Sequence, residues 1–336
     1  KDSVLAERLA QFTDRQTITV ESDHDNTLHL DLERIDLGPL LSRKSFQDME
    51  RLFLPSQPLV VSLEKMTLEK LEFARIQSRI SLKRDHSYIR ISQADLCGIT
   101  LNGFLNFKDS QVMASIPFDT QKELDCQELF RCLMNKDRFM DGSYTFKGTL
   151  NSQGPQGSLL DQMGGEFHFY AKQGRIYKLT LLSRILSVLN VSNLFKGNIP
   201  NVLQTGFAYQ SVEIQADIKA GKIHLNRAVI DGNDMTLIFR GWVDPVNDQL
   251  ELTCLVAPFK TIDLIVKYIP IVNTMLGGRL VSVPVKATGK LSDPQVIPLH
   301  PSAVGQGLIN MMGDILKTPV KLIDKIASDD DSEADR

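Results

Sequence analysis

Polar and apolar positions along the chain change period several times. Leu5, Leu9 and Phe12 share one face of a helix expected over Lys1 to Asp14. The period then falls to two. Ile18 and Val20 alternate with Thr17, Thr19 and Glu21, the turn Asp23-His24-Asp25-Asn26 follows, and Leu28, Leu30 and Leu32 mark the return strand of a hairpin. Ser45 to Leu54 reads as a helix with Phe46, Met49, Leu52 and Phe53 on one face, stopped by Pro55. From Leu59 to Phe118 the pattern is strand after strand, with one irregularity between Ile76 and Leu82. Gln121 to Asn135 reads as a helix, Asp141-Gly142 as a turn, and Tyr144, Phe146, Gly148 and Leu150 open another strand. Ser152 to Gly157 reads as a turn and is the most plausible internal boundary.

The second half has a clearer rhythm. Gly165 to Tyr170 reads as a strand punctuated by Gly174. Leu179 to Phe195 is an amphipathic helix with Leu182, Ile185, Leu186, Leu189 and Leu194 in its stripe. Four evenly spaced strands follow, carrying Val212 to Ile218, Ile223 with Leu225, Leu237 to Val243, and Leu250 to Val256. Their turns are Ala220-Gly221, Asp231 to Asp234, and Asp244-Pro245. Strands of about ten residues joined by tight turns form an antiparallel meander. Beyond it, Ile262 to Leu276 reads as a helix broken near Pro270, Leu280 to Leu291 as a long strand, and Ser302 to Ile326 as a helix kinked at Pro319.

Alternation places Val212, Ile214, Ile218, Ile223, Leu225, Leu237, Phe239, Leu250 and Leu252 on one concave sheet face. Two readings of that face stand side by side. In one, the amphipathic helices cover it and the protein is an ordinary α+β core. In the other the sheet curls and leaves part of an apolar groove open, which suits acyl chains because burial of each CH₂ contributes about 0.8 kcal/mol without directional contacts.

Composition narrows the function. The 336 residues suffice for one large or two medium domains, and a net charge of −3 implies no nucleic-acid partner. No apolar run is long enough for a membrane-spanning helix; the best stretch, Ile262 to Leu276, holds Asp263, Lys267 and Pro270. No nucleotide-loop, serine-hydrolase or zinc-protease motif occurs, so no enzyme, catalytic residue or cofactor is expected. Asp231-Gly-Asn-Asp234 lacks the spacing of a calcium loop, and the scattered cysteines and histidines disfavour a metal site. Cys97, Cys126, Cys132 and Cys254 are either four buried thiols or, in an oxidising compartment, the source of a disulfide.

Particular stretches resemble a known family. Gly164-Gly-Glu-Phe-His-Phe-Tyr-Ala-Lys-Gln-Gly-Arg-Ile-Tyr177 before the Leu-rich helix is similar to the C-terminal region of AsmA-like proteins of bacterial envelopes, the AsmA, TamB and YhdP kind. So are Gly206 to Ile214, Ala228 to Gly232, Leu255 to Asp263, Pro284 to Gly289, Asp293-Pro294 and Pro301 to Gly305, in that order; the likeness is looser before Gly142. The resemblance implies a mainly β (α+β) fold: a long curled antiparallel β-sheet forming an apolar groove, with amphipathic helices at or over it, one of them C-terminal. It implies residues 1–141 as the N-terminal part of the groove, 142–326 as the AsmA-like C-terminal region, and 327–336 as an acidic disordered tail. It also implies transfer of phospholipid between the inner and outer membranes, with bacterial membranes and other envelope proteins as partners. The location implied is the periplasm, with an inner-membrane anchor helix that this chain lacks. The alternative is a structural scaffold for outer-membrane assembly without lipid conduction.

A periplasmic setting permits a disulfide. Cys126 and Cys132 lie six residues apart on one expected helix and cannot bridge, so Cys97 pairs with one of them; the family's pairing, as the resemblance implies it, is Cys97 with Cys132. Cys254, sharing parity with Leu250 and Leu252, is expected as a buried free thiol. In the last helix Val304, Leu308, Met311, Met312, Ile315 and Leu316 form an apolar face, and Lys317, Lys321 and Lys325 a stripe. That pattern fits either a helix capping the sheet or one lying in a membrane interface.

Overall fold

The structure, a computed structural model, describes residues 19–22, 27–36, 58–68, 70–82, 86–109, 111–135, 137–155, 161–177, 180–191, 206–233, 235–258, 282–305, 307–308 and 310. The strands are β1 (Thr19–Ser22), β2 (Leu28–Asp36), β3 (Leu59–Leu68), β4 (Leu71–Leu82), β5 (His86–Leu96), β6 (Ile99–Lys108), β7 (Gln111–Asp119) and β8 (Leu124–Asp125). They continue with β9 (Ser143–Pro155), β10 (Gly164–Ile176), β11 (Phe207–Lys219), β12 (Lys222–Gly232), β13 (Met235–Asp244), β14 (Gln249–Pro258), β15 (Val283–Lys290) and β16 (Pro294–Pro298). Two α-helices are described, α1 (Cys126–Met134) and α2 (Thr180–Val191).

All sixteen strands join one open sheet in chain order, with β8 paired onto the side of β9. Every neighbouring pair is antiparallel except β2 and β3, which run parallel. The meander expected from Val212 to Val256 is antiparallel throughout, and the wholly antiparallel sheet that the resemblance implied needs correction at one place, β2 with β3. A parallel neighbour cannot be reached by a hairpin and requires a long connection, and residues 37–57 supply it. The sheet runs unbroken across residues 141 and 142, because β9 bonds to β7 on one side and β10 on the other.

Several boundaries move for physical reasons. Ser152 to Pro155 are not a turn: they extend β9 and pair with Gln111 to Ala114 of β7. Ladder bonding outweighs the local turn preference of Gly and Pro there, and Pro155 sits at the strand end where its missing N–H is tolerated. Gly174 likewise does not end its strand. It lies inside β10, where a Cβ would stand 2.0 Å from the Asp141 carbonyl oxygen, so close approach, not a turn, requires it. The helix expected from Gln121 begins only at Cys126, because Asp125 caps it: its carboxylate accepts from the Gln127 N–H at 2.7 Å. Leu124 and Asp125 instead form β8. The strand expected over Leu280 to Leu291 is described from Val283 to Lys290, and Pro294 to Pro298 add a further strand, β16, beyond the expected elements. The helix expected from Ser302 opens as a 3-10 turn over Pro301–Ala303. The helices expected at Lys1–Asp14, Ser45–Leu54 and Ile262–Leu276, most of Ser302–Ile326 and the acidic tail lie outside the described residues, as does the last part of Leu179–Phe195.

Alternating topology gives the sheet two unlike rims. One carries the connections β4–β5, β6–β7, β9–β10, β11–β12, β13–β14 and β15–β16, none longer than eight residues. The other carries the three longest later connections, 120–142 with α1, 177–206 with α2, and 259–282. We call them the hairpin rim and the crossover rim.

One face of the sheet is apolar from end to end. Leu28, Leu30, Leu32, Leu59, Val61, Leu63 and Ile76 form its N-terminal cluster. A second cluster runs from Ile99 and Phe118 to Val285 and Ala287 and includes Leu182 and Ile185 of α2. Leu101 packs against both. The opposite face is largely polar, apart from the stacked pair Tyr88 and Phe104 and its C-terminal end, where Val229, Ile238, Leu255 and Ala257 pack with Leu308 and Val304. Val304 and Leu308 therefore lie on the face away from the expected groove, so both sides of this end carry packed apolar residues.

Candidate functional site

The nine residues expected on one face do share it, because register partners across an antiparallel ladder point the same way. Val212 pairs with Ile230, which pairs with Leu237 and in turn Val256. The next rows are Ile214, Ala228, Phe239 and Cys254, then Ala216, Leu225, Gly241 and Leu252, then Ile218, Ile223, Val243 and Leu250. One device hidden from simple alternation makes this possible. A register shift between Leu225 and Ala228 inserts an extra residue in β12. Ile223 and Leu225 therefore share a face with Ala228 and Ile230, of opposite parity, while Val229 turns to the other side.

Burial divides the nine. Leu237 (0% exposed), Leu250 (2%), Leu252 (3%), Val212 and Phe239 are core. Ile214, Ile218, Ile223 and Leu225 are half-buried. On β11 to β13 the division follows the rims, whereas on β14 Leu250 and Leu252 are buried at the hairpin end as well. Towards the crossover rim the apolar face is sealed: Phe118, Tyr144, Ala171, Tyr209, Ile230 and Val256 are all buried there. Away from it a half-buried band runs from strand to strand through Ile89, Leu105, Ile116, Leu150, Ile218, Ile223 and Val243, although Val112 at the hairpin end of β7 and Leu250 at that of β14 are buried. Ladder pairs Ile89–Leu105, Ile116–Leu150 and Ile218–Ile223 put these side chains on the same face. The result is an apolar lane from β5 to β13. Its first half was not among the candidate residues, although Ile89, Leu105 and Ile116 stand in the alternating pattern. What the pattern lacks is the distance of each position from a rim.

Glycines smooth the lane floor. Gly165 lies between Leu150 and Ile218, and Gly241 between Leu225 and Leu252. Each has φ near +140°, and a Cβ on Gly241 would meet the Glu251 carbonyl oxygen at 2.1 Å. Only glycine fits, and it brings neighbouring backbone close to the surface.

α1 and its tether build the crossover rim. Cys97, in the tight turn between β5 and β6, is disulfide-bonded to Cys132 of α1, with Sγ atoms 2.02 Å apart. Cys126 and Cys254 are free and buried. Burial pushes the Cys126 thiol up to about 12 and the Cys254 thiol higher still, so both are protonated and inert at neutral pH. Asp141 holds the same rim together. Its carboxylate accepts from the Tyr177 hydroxyl at 2.6 Å and from the Arg175 N–H, and its carbonyl oxygen accepts from the Tyr209 hydroxyl at 2.5 Å.

The polar face holds ion pairs. Glu213, beside the lane residue Ile214 in sequence but on the reverse side, contacts Arg227 at 2.6 Å and His168 at 3.7 Å. Burial works to raise its carboxyl; His168 and Arg227 outweigh this and hold it below the ordinary range. Asp95 receives bonds from Arg75 at 2.5 Å and Thr100 at 3.1 Å. Among the described residues no group of His, Cys, Asp and Glu could hold a metal, and no helix is long and apolar enough to cross a membrane.

Comparison with curated proteins and with solved structures returned no match. A protein-family model does match. Residues 125–296, a little over half of the chain, fit the model described as YhdP protein, and they run from the residue that caps α1 into β16. The chain therefore belongs to the YhdP family, within the AsmA-like group of bacterial envelope proteins.

Proposed function

We propose that the protein carries phospholipid along its apolar lane, as a bridge through the periplasm between the inner and outer membranes. The observation that supports this reading is a half-buried apolar band that runs from β5 to β13 on one face of the sheet, beside a crossover rim that is sealed. Acyl chains would lie against Ile116, Leu150, Ile218, Ile223 and Leu225, and the headgroup would stay in water over the hairpin turns. Such a contact is driven by burial alone and moves easily, because no hydrogen bond has to break for a chain to slide from one strand to the next. Residues 1–141 and 142–326 act in this reading as consecutive lengths of one path, and no residue does covalent chemistry.

A second reading has its own support. Leu237, Leu250 and Leu252 are filled by the protein's own side chains, as in a scaffold that binds other envelope proteins without conducting lipid. One experiment separates the two. The protein with a photoreactive side chain at position 223 is mixed with phospholipid vesicles, irradiated, and analysed by mass spectrometry. Phospholipid adducts at position 223, and none at the polar-face position 215, are expected for transfer. Equal labelling at both positions, or none, sinks it.

A further inference from the structure

We infer that α2 is a displaceable occupant of the apolar face, holding the place of acyl chains at the C-terminal end of the lane. The inference rests on the lipid-transfer reading and adds a regulated end to it.

The lane does not fade; it stops. Ile223, Leu225 and Val243 are half-buried, whereas Leu250, Leu252 and Cys254 on the next strand are no more than 3% exposed. α2 belongs to the same buried cluster, through Leu181, Leu182, Ile185 and Leu186. It follows β10 in the chain and packs against β16 at the C-terminal end of the sheet. Its fit is of the kind an acyl chain could replace. Within α2 the only charged residue is Arg184, and its first turn has no acidic residue and its last no basic one, so its ends gain little from the helix dipole. α2 also makes a polar contact with the turn before β16, Arg184 to Asp293 at 2.8 Å, between side chains that are both more than half exposed. Exposed pairs contribute little. Leu181, Leu182, Ile185 and Leu186 give α2 apolar burial, and acyl chains offer the floor the same burial.

Cys254 makes the idea measurable, since it is a free buried thiol on the covered floor, while Cys126 is a free buried thiol in α1 at the crossover rim. N-ethylmaleimide modification of each cysteine is followed by peptide mapping in the full chain, with and without vesicles of phosphatidylethanolamine and phosphatidylglycerol. Vesicles are expected to speed modification of Cys254 at least tenfold and to leave Cys126 unchanged. In a doubly substituted protein, Arg184→Cys with Asp293→Cys, joined beforehand by a short bismaleimide, Cys254 is expected to stay protected. If Cys254 is unaffected while photoreactive phospholipid still labels position 223, the α2 inference is overturned and the lipid reading stands. If neither occurs, both are lost. Cys126 and Cys254 accelerating together, or the tethered protein deprotecting as freely as the untethered one, also overturns it.

Discussion

Cys132 in α1 is bonded to Cys97 in the β5–β6 turn, 35 residues earlier in the chain, so a helix outside the sheet order is tied to a strand end two ladders away from β9. Closing a loop of this length restricts the unfolded chain, which on the chain-entropy model corresponds to about 4 kcal/mol of stability. Replacing both cysteines by serine is expected to lower the unfolding free energy by roughly 2–4 kcal/mol, read by denaturant titration. Thiol counting in denatured, non-reduced wild-type protein should give two free groups, Cys126 and Cys254; four would contradict the bond.

Position along a row decides what a charge does. Leu237 is fully buried in the cluster that α2 completes, so it is a poor site for testing lipid contact: Leu237→Asp buries an unpaired carboxylate and should cost about 4 kcal/mol or more. Ile223 is half-buried near the hairpin rim, and Ile223→Glu should cost only about 1–2 kcal/mol because the carboxylate can reach water. Melting curves of the two variants check the contrast. Under the proposed function the Ile223 variant should also lose most phospholipid adducts at a photoreactive position 218.

Glu213 sets part of the acid limit. Its folded pKa lies below the unfolded reference of 4.5, so its contribution is present above that reference and is lost as pH falls through the lower, folded value. Glu213→Gln should be less stable than wild type at neutral pH, because Arg227 loses its charged partner, and the difference should shrink on acidification. Melting temperatures of both proteins from pH 7 to pH 3 test this; a constant gap would mean that the pair carries no proton linkage.

Gly241→Ala should be destabilising by about 2 kcal/mol or more, well beyond an ordinary surface change. The added methyl meets the Glu251 carbonyl oxygen and the residue must hold φ +135°. Gly289→Ala is the control, also at positive φ but with open space around it, and should lose only the conformational part. Equal losses would show that the close approach to β14 is unimportant.

Much of this architecture was legible in the chain. Period-two alternation from Leu59 to Val256 determines strands and their buried side, because a strand with one apolar face has only one way to hide it. Stretches such as Gly164 to Tyr177 were enough to indicate the family. Local pattern also marked α2, through Leu182, Ile185 and Leu186 three and four residues apart. Tertiary structure decided the rest. The parallel pairing of β2 with β3 and the addition of β16 are choices among partners, and alternation is blind to partners. The bulge in β12 keeps Ile223 and Ile230 on one face only because β11 and β13 hold the ladder on either side. Whether an apolar residue is lane or core depends on what lies above it: Ile223 and Leu250 read alike in sequence, but Leu250 lies on the strand where the face is closed, and α2 reaches that end of the sheet only after leaving β10 and packing on β16. Burial is a property of the whole packed surface, and no single strand carries it.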